Sequence, residues 1–306
     1  MPLDAKRRIN QSRVSLEGLA VGDAFGQTFF AESMQQLDPA VAMADGPWPW
    51  TDDTAMALSI YLTLERHGTI VQDELAGEFA ARFINDRDRG YGAGMHRLLF
   101  NLSNGHPWRT ESIKQFKGQG SWGNGGAMRV APLGAYFSEN IDVVVEQAKL
   151  SAEVTHAHEE GIAGTIAVAV AAALASRING TGQSVNPTEF LREIAARTPD
   201  SITRDEILRA VLLSLSSGVR HAAETLGSGG ELSAQDTVPF ALWCAAQHLD
   251  DFARALRFTV SGGGDVDTTC AIVGGIVALS AGLKSIPEEW LQRREALPQW
   301  VYIDLD

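Results

Sequence analysis

Nearly every apolar run in this chain repeats with the period of an α-helix. In "MALSIYLTLERHG", "EILRAVLLSLSSGV" and "DDFARALRFTV" the apolar residues recur three and four apart. The first of these ends at His67 and Gly68, a helix stop signal. Alternating β-branched runs are few and short, so a sheet has little to be built from. Such a chain must bury helix faces against other helix faces. The expectation is an all-α fold, a compact orthogonal globule of about a dozen helices.

The 306 residues are 45% hydrophobic and 21% charged, an ordinary globular composition. No repeat of fixed period and no clear boundary appears, so residues 1–306 read as a single domain. Surface linkers are expected at Ile178–Pro187 and Gly227–Asp236, where Gly, Ser and Asn gather. The formal net charge of −13 argues against a broad electrostatic grip on nucleic acid or anionic lipid. It leaves room for one phosphorylated small molecule. "GIAGTIAVAVAAALAS", Gly161 to Ser176, is shorter than the roughly 20 residues of a spanning helix and reads as a buried bundle helix. Cys244 and Cys270 each lie in an apolar helical pattern, which fits buried thiols in a reducing compartment. No Cys-x-x-Cys spacing exists, so a thiolate zinc site is excluded. The basic N-terminus has no continuous apolar stretch of the signal-peptide kind. A cytoplasmic monomer without nucleic-acid or membrane partners is expected.

Two acidic clusters each open an apolar helix. In "PWPWTDDTAMAL", Asp52 and Asp53 sit between Thr51 and Thr54. In "SGGGDVDTTCAIVGG", Asp265, Asp267 and Thr268 follow three glycines. Each alone reads as a capped helix start with acids complementing the dipole. Both together supply the all-oxygen donors that Mg²⁺ or Mn²⁺ prefers. Two such cations can orient a substrate and a water together. "RGYGAG", Arg89 to Gly94, and "SWGNGGAMR", Ser121 to Arg129, are glycine loops, either plain turns or places where backbone approaches a phosphate. His156 and His158 are two apart and cannot share one helix face, so a structural role competes with a ligand contact. His67, His96, His106, His221 and His248 have no companions that suggest a site, and no G-x-S-x-G nucleophile motif is present.

"GLAVGDAFG", "WTDDTAMAL", "RGYGAG", "SWGNGGAMRVAPLG", "VTHAH" and "GGGDVDTTCAIVGGIVA" occur in this order from Leu16 to Gly282. Together they resemble the ADP-ribosylglycohydrolases, of the dinitrogenase-reductase-activating glycohydrolase type. The resemblance implies an all-α fold with a binuclear Mg²⁺ or Mn²⁺ centre in a cleft. It implies metal ligation by Thr51, Asp52, Asp53, Asp265, Asp267 and Thr268, with Asp265 or Asp267 bridging. Gly90, Gly92 and Gly94 would approach the diphosphate of ADP-ribose. Ser121, Gly123 and Asn124 would line the distal ribose and diphosphate, with Trp122 as a wall, and His156 would contact the ligand. Asp23 is either a partner of the metal ligands or a buried cap.

One position departs from the family pattern. Phe30 stands where the family commonly has a Glu, and Glu32 is the nearest carboxylate. Glu32 is therefore the candidate acid/base group; the competing reading is an exposed loop residue. Val266, between the two aspartates, would point away from the metals. The implied activity is removal of ADP-ribose from modified protein side chains, with arginine the first expectation. The alternatives are a hydrolase of a free ADP-ribose derivative or other ribosyl compound, a non-catalytic ADP-ribose-binding member, and a plain helical scaffold.

Overall fold

The computed structural model describes residues 4–35, 37–39, 41–178, 185–214 and 216–303. The chain begins with α1 (Ala5–Gln27), capped by Asp4, and the single-turn α2 (Glu32–Gln35). Then come α3 (Asp52–His67), α4 (Gln72–Asn85), α5 (Ala93–Ser103), α6 (Trp108–Gly118), α7 (Ala131–Tyr136) and α8 (Ile141–Glu153). The second half holds α9 (Glu159–Ile178), α10 (Pro187–Arg197), α11 (Ile202–Leu212), α12 (Val219–Leu226) and α13 (Ala234–Gln247). It closes with α14 (Phe252–Val260), α15 (Val266–Ala281) and α16 (Glu288–Arg293). Among the described residues extended pairing is limited to two isolated bridges, Trp48 with Arg294 and Gly123 with Ser233. The all-α expectation holds. The count exceeds a dozen because α2, α7 and α16 have four to six residues, too few to display a period.

The central packing is α1 against α15, and glycines set its depth. Gly18, Gly22 and Gly26 lie four apart on one face of α1. A Cβ on Gly22 would stand 2.1 Å from the Cys270 carbonyl oxygen, and one on Gly26 2.3 Å from that of Val266. Gly274 returns the contact, with Gly18 O 2.3 Å from its own would-be Cβ. The two backbones touch, which only hydrogen in place of a side chain allows. Around this pair stand α3, α7, α9, α13 and α14. The α9 helix has the length and apolarity to cross a membrane, but 78% of its apolar window is buried inside the fold. It extends the expected segment to 20 residues and includes Glu160, whose carboxylate caps α11 through the amides of Ile202 and Thr203.

Both cysteines are buried and free. An aromatic cluster packs beside the same end of α1: Phe25 stacks on Trp290 at 4.3 Å and tilts against Trp48 at 5.7 Å. The buried pair Arg294 to Glu17, at 2.9 Å, ties the C-terminal segment to α1. Part of the expected linker at Ile178–Pro187 lies outside the described residues. The segment Gly227–Asp236 instead folds against the start of α15, where Ser228 O accepts from the Asp265 amide at 3.0 Å.

Candidate metal centre and cleft

The glycine contact places Asp23, beside Gly22, against the start of α15. Asp23 is fully buried and accepts from the amide and hydroxyl of both Thr51 and Thr54, at 2.6 Å from Thr54 Oγ1. It therefore locks the start of α3 onto α1. Burial raises its pKa to about 6, against the downward pull of those donors.

Thr51 caps α3, as its position before two acids suggests. Its Oγ1 lies 2.9 Å from Asp23 Oδ1 and 3.0 Å from Asp53 Oδ2. A hydroxyl has one proton, so it can satisfy only one of these carboxylates. Asp53 Oδ1 is buried without any partner. Asp23, Asp53 and Asp267 each bring a carboxylate oxygen within 4.8 Å of the others. Burial, then repulsion from Asp23 and Asp267, holds the Asp53 carboxyl well above its usual range. Asp267 is raised likewise by burial and Asp265, and Asp52 reaches about 7 through burial and Asp23. Burial also raises Asp265, while a 2.7 Å hydrogen bond from Asn124 Nδ2 pulls it back.

This arrangement fits a divalent cation. The donors are all oxygen, one is orphaned, and a cation would supply the charge that five crowded carboxylates lack. The three clustered groups include no nitrogen or sulfur donor of the kind zinc favours.

A cleft opens above the acids. Asp52, Asp53, Asp265, Asp267 and Thr268 form its floor. Gly90, Gly92, Gly94, Ser121, Gly123, Asn124 and His156 line its walls. Gly90 has φ of 89°, and a Cβ there would approach Asp52 Oδ1 at 3.6 Å. The loop is pinned by Arg89, whose carbonyl accepts from the Asp52 amide at 2.7 Å. Its guanidinium grips Glu295 with two bonds of 2.6 and 2.7 Å and lies 3.6 Å over Trp50.

Three sequence candidates do not line the cleft. Thr51 is buried behind Asp53 in the hydrogen-bond network described above. Trp122 faces a neighbouring hollow and supports Phe116 from behind, ring centres 4.3 Å apart. Phe116 takes the wall position itself, because it and Lys117 adopt positive φ of 48° and 61° where α6 breaks. Glu32 is exposed at the start of α2. Phe30 and Met34 line a separate hollow beside Gly264, and Val266 is buried there as its position implies.

Sequence reasoning passed over Arg129 and Phe116 and left Asp23 undecided. The four-residue glycine spacing around Asp23 was the available signal. The break in α6 gives none, since neither Phe116 nor Lys117 is a residue type that favours positive φ. Arg129 is fully buried, 4.3 Å over Phe79, and donates to Ser151 O and Thr155 Oγ1. Burial lowers its pKa to about 9, which still leaves a cation at neutral pH.

The chain resembles known proteins along most of its length. The family model for ADP-ribosylglycohydrolase matches residues 4–304. ADP-ribosylhydrolase ARH3 of Homo sapiens is 29% identical, over 95% of this chain and 91% of the relative. ADP-ribosylarginine hydrolase Tri1 of Pseudomonas putida is 23% identical, over 95% of this chain and 76% of its own. A solved structure titled "ADP-ribosylglycohydrolase-related protein complex" has a TM-score of 0.64 at 22% identity and covers 95% of this chain and 94% of that chain, a likeness of fold. A helical fold, paired acidic helix starts facing glycine loops, and a family match across nearly the whole length converge: the chain belongs to the ADP-ribosylglycohydrolase family.

Proposed function

We propose that this protein is a divalent-cation-dependent hydrolase that releases ADP-ribose from modified protein side chains. The observation that carries the reading is the meeting of Asp23, Asp53 and Asp267 beneath a cleft with glycine walls. Asp52, Asp53, Asp265, Asp267 and Thr268, all on the cleft floor, would hold two ions of Mg²⁺ or Mn²⁺, with Thr51 orienting Asp53 from behind. When bound, such ions polarise ribose hydroxyls and lower the pKa of a water.

The residues of the chain do the rest. Gly90, Gly92 and Gly94 leave the backbone bare, so that a diphosphate can approach amide groups closely. Ser121, Gly123 and Asn124 border the distal part of the ligand, and His156 faces it. Cleavage at ribose C1 develops oxocarbenium character, and the carboxylate floor stabilises that positive charge. We assign proton transfer to Glu32, which must come inward from α2 when ligand binds. Glu32→Gln then slows turnover at least about 100-fold while ADP-ribose affinity is kept. Unchanged turnover removes Glu32 from the mechanism.

Arginine is the linkage proposed, supported by the name of the Pseudomonas relative. The deciding experiment is release of ADP-ribose from arginine-ADP-ribosylated protein, with serine-linked substrate in parallel, in Mg²⁺, Mn²⁺ or chelator. Metal-dependent release from the arginine substrate is expected. Release from the serine substrate alone would overturn the linkage. Release from neither would overturn the hydrolase reading.

A further inference from the structure

Behind the cleft wall, three side chains form a directed chain of hydrogen bonds. Arg129 Nη2 lies 2.8 Å from Thr155 Oγ1, and Thr155 Oγ1 lies 2.7 Å from His156 Nδ1. All three residues are buried. Arginine has no acceptor, so its nitrogen must donate and the threonine oxygen must accept. The one proton of Thr155 then needs an acceptor, and among the described residues the only one in contact is His156 Nδ1. With Nδ1 accepting, a neutral imidazole carries its proton on Nε2. That nitrogen faces the glycine wall of the cleft. A Cβ would stand 3.4 Å from it on Gly123, in ordinary contact, and a tighter 3.1 Å on Gly125.

We propose that Arg129 and Thr155 are positioning residues that hold His156 as the Nε2–H tautomer, a fixed donor aimed at an oxygen of the ligand in the cleft. Burial, and then the nearby Arg129 charge, oppose protonation of the ring. His156 therefore acts as a neutral donor and exchanges no proton with substrate. The chemical class it recognises is an oxygen acceptor, a diphosphate oxygen or a ribose hydroxyl. Donors fixed in advance need no reorganisation when the ligand arrives. The ligand's identity rests on the ADP-ribose reading above, whereas the tautomer does not.

Two measurements keep the two apart. The first is ¹⁵N NMR of the wild-type ring at neutral pH without ligand. A neutral Nε2–H form is expected; an Nδ1–H form or an imidazolium would overturn the relay. The second compares Thr155→Val with Thr155→Ser. Valine should release the ring to a tautomer mixture and weaken ADP-ribose binding about tenfold by calorimetry, while Mn²⁺ affinity is unchanged. Serine should restore both the tautomer and the affinity. A valine variant that keeps the Nε2–H form overturns the relay. A wild-type ring in the expected form in a protein that binds no ADP-ribose would leave the relay standing and overturn the ligand reading.

Discussion

At the scale of single residues, the acids below the cleft are frustrated by one another. Asp53 is the clearest case, with one oxygen unpaired and the other sharing a single hydroxyl proton with Asp23. Asp53→Asn removes one buried charge and gives Thr51 a donor in place of a competitor. The metal-free variant should be more stable than the metal-free wild type by about 1–2 kcal/mol, within the range found when buried ionic groups are replaced by uncharged ones. It should also lose tight Mn²⁺ binding. Chemical denaturation in chelator and calorimetry with Mn²⁺ measure the two effects. A less stable, still metal-binding variant would mean that Asp53 is an ordinary buried cap. His156 offers a second residue-scale test, through pH. Burial and Arg129 lower its pKa from 6.5 to about 3. The unfolded chain takes up this proton below pH 6.5 while the folded protein refuses it. The stability it contributes is complete above pH 6.5 and is lost as pH falls toward 3. His156→Asn should flatten the decline of unfolding free energy between pH 6 and 4.5, by up to about 1.4 kcal/mol per pH unit. Equal slopes in both proteins would refute a neutral buried ring.

At the scale of elements, the decisive contact is the α1–α15 crossing, because it carries Asp23 to Asp267. A Cβ on Gly22 would fall 2.1 Å from the Cys270 carbonyl, a backbone atom that cannot turn aside. Gly22→Ala must push the helices apart and should cost about 3 kcal/mol, the upper part of the overpacking range. It should also weaken metal binding, since the acids ride on the two helices. Gly77→Ala is the control: it lies inside α4 with nothing within 4 Å, and should stabilise by up to about 1 kcal/mol. Similar effects from both would show that the crossing tolerates a methyl group. Much of this level was legible in the sequence. Helical periodicity gave the fold class, and the paired Thr and Asp motifs gave two helix starts that do converge. What stayed hidden depended on tertiary placement. Phe116 reached the wall through two left-handed residues that no local preference announces, and Trp122 was displaced behind it. Thr51 pointed to the neighbouring carboxylates rather than into the cleft. Glu32 could be ranked by sequence distance alone, which says nothing of the path the chain takes through the 3-10 turn at Thr28–Phe30.

At the scale of the whole molecule, the acidic floor joins parts of the chain that are far apart in sequence. Asp23 stands on α1, Asp53 on α3 and Asp267 on α15, and the walls come from the loops that precede α5 and α7. Repulsion at their meeting point opposes the packing of these three helices, and a bound cation would turn it into attraction. A ligand that binds only the folded state stabilises by about 2.7 kcal/mol when present at 100 times its Kd. For a chain this long, that should raise Tm by roughly 4 °C. The expected order is wild type in chelator below wild type in Mg²⁺ or Mn²⁺, with no metal-dependent shift in Asp53→Asn. Zinc at equal concentration should shift Tm less, because the clustered donors are all oxygen. The protein as a whole should respond, since the three helices share one core: helix content followed by circular dichroism and tryptophan emission should report the same displaced transition. A shift of equal size in Asp53→Asn would place the cation elsewhere on this acidic surface. A local change in emission without displacement of the helical transition would show that the acids meet without bracing the helices that carry them.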